Sequence, residues 1–121
     1  MLKIRRNALE SALAAAKSTY PDEFIGLFRE DGKGVLSELI LAPLSEYNEN
    51  SSSYQPLFLP TDLKTNATFH SHPSYSAGPS SADLRLFSRA GKWHFISCLP
   101  YTEESTKAYE ANGKETEFEV V

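Results

Sequence analysis

The stretch "FHSHPSYSAGPSSADL", residues 69–84, decides how this chain is read. His70 and His72 stand one residue apart, seven residues follow, and then come Ser80 and, three positions on, Asp83. The segment "KTNATFHSH" (64–72) predicts a strand leading into the motif. Side chains two apart on a strand share a face, so His70 and His72 aim two imidazoles at one point. "PSYSAGP" predicts a loop shaped by Pro73 and Pro79, with Gly78 permitting an otherwise strained turn. "SSADLRLFSRAG" predicts a short helix with Ser80 at its N-cap. Leu84, Phe87 and Ala90 fall on one face, and Gly91 is its stop.

Asp83 then lies in the first helical turn, where its carboxylate can swing in as a third ligand. Zinc takes imidazole nitrogen and carboxylate oxygen at about 2.0–2.2 Å, and three protein ligands leave one position for water. Zinc also lowers the pKa of that water toward about 7. The same residues support a plainer reading. Strand histidines are often core residues, and Ser-x-x-Asp is by itself a helix-capping signature.

Working outward, Leu2 and Ile4 predict a short opening strand. Leu9, Ala12, Leu13 and Ala16 recur at helical spacing over about Arg6–Thr19, with Asn7 or a neighbour near the start and Pro21 as the stop. "EFIGLFRE", the turn "DGKG" (31–34) and "VLSELILAPL" predict a hairpin. "SEYNENSSSY" (45–54) predicts a mobile polar loop, and "YQPLFLP" (54–60) a short edge segment. Downstream, "KWHFISCLP" is nearly all apolar and predicts a central strand buried on both faces. "TKAYEANGKETEFEVV" predicts a final hairpin around Asn112-Gly113. The sum is α/β: a single mixed β-sheet with one long and one short helix.

The chain has 121 residues, 40% hydrophobic and 23% charged, the size and composition of one ordinary globular domain. A net charge of −4, with no basic cluster beyond Arg5-Arg6, gives nucleic acid no electrostatic footprint. A single cysteine, Cys98, forms no internal disulfide and fits a reducing compartment. "MLKIRRNALE" lacks the apolar region of a signal peptide, and no run is long enough to span a bilayer. The expectation is a cytoplasmic protein without nucleic-acid or membrane partners.

The whole spacing, HSH, seven residues, then S-x-x-D, resembles the signature of the JAMM (JAB/MPN-type) zinc metalloproteases. That family carries an upstream glutamate in an E-x-x-G-L context, and "EFIGL" supplies Glu23 in register with Gly26 and Leu27. The order of elements is similar as well, so the resemblance spans most of the chain and is nearest to the compact single-domain prokaryotic and archaeal members. It implies one JAMM/MPN metalloprotease domain over residues 1–121, with a cytidine deaminase-like fold.

The resemblance also implies roles. His70, His72 and Asp83 match the ligands of one Zn²⁺ per chain. Glu23 matches the general base and Ser80 the donor to the developing oxyanion. The implied activity is hydrolysis of amide or isopeptide bonds after the C-terminal tail of a ubiquitin-like modifier protein. A tail of this kind is commonly held by strand addition to a sheet edge, for which "SSYQPLFLP", with Leu57 and Phe58, is the candidate.

Two alternatives stay open: a peptidase for sulfur-carrier protein adducts, and a non-catalytic MPN scaffold. A zinc deaminase is set aside, because its signature needs a Pro-Cys-x-x-Cys pair and this chain has only Cys98. His94 reads as a core residue or a support for the ligands, Cys98 as a small buried hydrophobe and Trp93 as core or rim. Oligomeric state is left open.

Overall fold

The computed structural model describes residues 1–41, 65–89 and 91–121. The expected loop 45–54 and edge segment 54–60, with Leu57 and Phe58, lie outside the described residues.

The described elements run β1 (Leu2–Ile4), α1 (Arg6–Thr19), β2 (Ile25–Glu30), β3 (Leu36–Leu41), β4 (Thr65–His72), α2 (Ser81–Phe87), β5 (Trp93–Cys98), β6 (Thr106–Glu110), β7 (Glu115–Thr116) and β8 (Phe118–Val120). The strands form one mixed sheet in the order β7-β6-β5-β4-β2-β3-β1-β8. The β4–β5, β1–β3 and β1–β8 pairs are parallel; the other pairs are antiparallel.

Ala8, Leu9, Ala12, Leu13 and Ala16 make the buried stripe of α1, and alanine-rich helices carry good intrinsic propensity. Asn7 does not cap this helix. The N-cap is Arg5, with no side-chain cap. The first amides find main-chain partners instead: Arg5 N–H donates to the Leu36 carbonyl at 2.8 Å and Arg6 N–H to the Val121 carbonyl at 2.9 Å.

The alternation of β4 and β5 divides the core in two. Ala67, Phe69 and Phe95 pack with the α1 stripe, Phe24, Phe28 and Tyr101. Ile96 and Cys98 pack with Phe87, Ala77 and Tyr109 beneath α2. β5 is thus covered on both faces, as its apolar sequence indicates. His94 is fully buried and Cys98 nearly so, and Trp93 lies half-buried at the rim of the larger cluster.

The last hairpin is shorter than its sequence suggests. β6 and β7 pair around Gly113, whose φ is +88°. After one intervening residue the chain leaves as β8, which pairs in parallel with β1 at the other end of the strand order. Since β7 and β8 are nearly contiguous, the sheet must curl until its two edges approach. The Phe95 and Phe118 rings, 5.2 Å apart, span that fold.

Candidate metal centre

β4 presents Thr68, His70 and His72 on the α2 side, and a tight loop returns the chain so that α2 starts over the two histidines. Ser80 is the N-cap of α2. Its Oγ accepts the Asp83 N–H at 3.1 Å, and the Asp83 carboxylate accepts the Ser80 N–H at 2.8 Å. The capping box therefore exists, and it serves the site rather than competing with it. It fixes the carboxylate of Asp83 toward β4. Oδ1 lies 2.8 Å from His70 Nε2, and Oδ2 lies 3.0 Å from His72 Nε2.

All three donor atoms lie within 4.8 Å of one another. Two imidazole nitrogens and one carboxylate oxygen, on buried or half-buried side chains, make a donor set that suits zinc. The His72 ring is oriented from behind, with Nδ1 3.2 Å from the Ser76 carbonyl. A carbonyl on one ring nitrogen presents the other nitrogen to a metal.

The electrostatics follow from burial and these contacts. Burial pushes the His70 imidazole down to about 4; the Asp83 charge opposes this and His72 reinforces it. Burial also opposes protonation of His72. Its hydrogen bond to Asp83, the Asp83 charge, the Ser76 carbonyl and the Glu23 charge outweigh that, so its pKa is raised. For Asp83, burial disfavours the anion. The His72 hydrogen bond, the His70 charge and the Ser80 amide prevail and hold the carboxyl at about 2. Burial thus favours His70 as the neutral imidazole, and the Asp83 carboxylate beside it is ionised and suited to a cation.

Glu23 is half-buried in the segment joining α1 to β2, and its charge is felt at His72 and at Tyr101. Ser80 is exposed at the helix start. Gly26 is closely packed: a Cβ there would sit 2.9 Å from Leu39 Cδ1 and 3.1 Å from the Phe24 ring, so those side chains would have to shift.

Two local expectations are corrected. Gly78 is not in a left-handed conformation, and a Cβ there would meet Ser76 Oγ at an ordinary 3.4 Å. Near the site the left-handed residue is Tyr101, at φ +62°. Leu84 does not share the buried face of α2, which is made by Asp83 and Phe87. Leu84 is 42% exposed and reaches the turn at Gly113. The helix ends at Phe87, and Ala90 lies outside the described residues.

His94 is a core residue. It stacks on Phe87 at 4.2 Å and 11°, and its Nδ1 lies 2.7 Å from Thr68 Oγ1. Sequence reasoning passed over Ser71 and Tyr101, which hydrogen-bond around the strand between the histidines. Alternation alone marks Ser71 as a polar side chain on the α1 face, and nothing local marks Tyr101.

Comparison with known proteins agrees with this geometry. The family described as prokaryotic homologs of the JAB domain matches residues 5–111. A Haloferax volcanii protein named "Probable metalloprotease" is 29% identical over 128 residues, which span 98% of this chain and 78% of that protein. A solved JAB1/MPN domain protein from Archaeoglobus fulgidus is 42% identical over all of this chain and 97% of its own, with a TM-score of 0.78. Another solved structure, described as JAMM, a metalloprotease-like zinc site in the proteasome and signalosome, is 45% identical. It covers all of this chain and 98% of its own, with a TM-score of 0.76. With His70, His72 and Asp83 gathered beneath the start of α2 on this sheet, the chain belongs to the prokaryotic JAB-domain family and has the JAB/MPN fold.

Proposed function

We propose that this protein is a zinc metalloprotease that hydrolyses amide or isopeptide bonds after the C-terminal tail of ubiquitin-like small modifier proteins. The observation that carries the reading is the convergence of His70 Nε2, His72 Nε2 and the Asp83 carboxylate within 4.8 Å, with Glu23 electrostatically coupled to His72.

His70, His72 and Asp83 would hold the ion. When bound, zinc supplies a Lewis acid that acidifies water and polarises the scissile carbonyl. The Glu23 carboxylate takes a proton from the attacking water and delivers it to the leaving nitrogen. The Ser80 Oγ lone pair is engaged by the Asp83 amide, so the hydroxyl proton is free to be donated to the carbonyl oxygen as negative charge builds on it. Asp83 holds its position through the Ser80 amide while both histidines lean on it.

Two substrates test the reading: a Gly-Gly tail linked to a lysine side chain, and a carrier protein bearing an amino acid on its C-terminus. The proposal expects faster turnover of the lysine-linked conjugate. Turnover of the carrier adduct alone would reassign the enzyme to sulfur-carrier processing. Turnover of neither, by zinc-loaded protein, would favour the scaffold reading.

A further inference from the structure

Glu23 must hold its carboxylate beside His70 and His72, yet it lies on neither a helix nor a strand. What fixes it is visible in the last rung of the β2–β4 ladder. The ladder pairs Gly26 with Phe69 and Ile25 with His70. One step further out, Phe24 meets Ser71. Ser71 N–H donates to the Phe24 carbonyl at 2.9 Å, as in a regular sheet. The return bond is made by a side chain: Phe24 N–H donates to Ser71 Oγ at 2.8 Å in a buried setting. A hydroxyl thus takes the acceptor position that a main-chain carbonyl fills in a regular rung. Continuing the register one more residue sets Glu23 opposite His72. Directly opposed residues of an antiparallel pair share a face, here the face of the metal donors.

Tyr101 closes the same point from the other side. Its side chain is buried, its hydroxyl donates to the His72 carbonyl at 3.2 Å, and it also engages the Ser71 hydroxyl. Its ring meets Tyr20, the C-cap of α1, edge-on at 6.3 Å. The backbone of Tyr101 is left-handed, a conformation a tyrosine keeps only where its surroundings over-determine it. Phe24 is seated as well, its ring tilted on Phe69 at 6.0 Å and lying over Gly26. The segment bearing Glu23 is therefore gripped on both flanks, at Tyr20 and at Phe24, by groups that also hold the strand of the two histidines.

We propose that Ser71 and Tyr101 are positioning residues, which lock the backbone at Phe24 to the strand between the two histidines and so fix Glu23 opposite His72. The proposal rests on the reading of Glu23 as general base. The metal donor group is His70, His72 and Asp83.

The test compares wild type, Ser71→Ala, Ser71→Thr, Tyr101→Phe and Glu23→Ala. Zinc per chain, hydrogen exchange of the Phe24 amide by NMR, and kcat and KM on a Gly-Gly-linked lysine conjugate are measured on each. Ser71→Ala should keep its zinc and exchange the Phe24 amide at least about tenfold faster. It should lose about 10- to 100-fold in kcat with little change in KM, the size expected from a misplaced catalytic group. Ser71→Thr, which keeps the hydroxyl, should restore both. Tyr101→Phe should move the same two readouts in the same direction, and it carries the test if Ser71→Ala does not fold. Unchanged Phe24 exchange, or unchanged kcat despite faster exchange, would overturn the clamp. Full activity in Glu23→Ala would instead refute the base reading beneath it.

Discussion

At the scale of single residues, Ser80 and Asp83 each hold two positions at once. Asp83 N–H is the donor that Ser80 Oγ caps, and the Asp83 carboxylate both closes the capping box and faces His70 and His72. The capping role of Ser80 and its proposed role as oxyanion donor are separable, because glycine caps a helix within a few tenths of a kcal/mol of serine while alanine costs about 1 kcal/mol. Ser80→Gly should keep near-wild-type stability and full zinc content, yet lose about 10²–10³ in kcat, the usual effect of removing one oxyanion donor. Thermal melts, metal content and kcat on one preparation check this. A loss of zinc instead would make the serine a support of Asp83 and not a donor to substrate. The HxH spacing and the Ser-x-x-Asp spacing were legible because each is a local periodicity, one of a strand and one of a helix start. Ser71 was not, since its value lies in a rung with Phe24, 47 residues away in sequence.

At the scale of elements, the seat of α2 is the sensitive part. Asp83 and Phe87 lie four apart on its buried face, and Phe87 stacks on His94 of β5. Burial pushes His94 from 6.5 down to about 4, although the Phe87 and Gly91 carbonyls pull the other way. The unfolded chain therefore binds a proton below pH 6.5 that the native state refuses until about pH 4. Stability from this group is present above pH 6.5 and is lost as pH falls through that window. Urea unfolding of metal-free protein at pH 7 and pH 5 should show His94→Phe losing about 2 kcal/mol less than wild type across that step. Equal losses in the two proteins would mean that His94 titrates normally.

Gly26 is a second sensitive point. Gly26→Ala drives a Cβ against Leu39 and the Phe24 ring, and overpacking of this kind costs about 1–3 kcal/mol, readable as a lowered urea midpoint. The long helix, the doubly buried β5 and the β4–loop–α2 unit follow from pattern. β8 does not: "FEV" is short, unpunctuated and placed by its pairing with β1. The α1 cap escaped for the same reason, its partners being the Leu36 and Val121 carbonyls.

At the scale of the whole molecule, the apolar clusters among the described residues flank one curled sheet, and none is built on the metal donors. Among the described residues no helix is long and apolar enough to cross a membrane. The ion should stabilise the fold without creating it. Chelation should leave the far-ultraviolet circular dichroism spectrum at 25 °C intact. It should lower the melting temperature on the order of 10 °C, as expected when a ligand worth about 2.7 kcal/mol is removed from a domain of this size. Zinc added back should restore it; unfolding on chelation would make the metal structural. The central claim is that the donor group holds a catalytic zinc served by Glu23, and it is tested most directly on purified wild type and Glu23→Ala. Metal content and cleavage of a Gly-Gly-linked modifier conjugate are measured on the same samples. The account predicts about one zinc per chain in both proteins, and cleavage by wild type alone. Absence of zinc from both after reconstitution, or undiminished cleavage by Glu23→Ala, would contradict it.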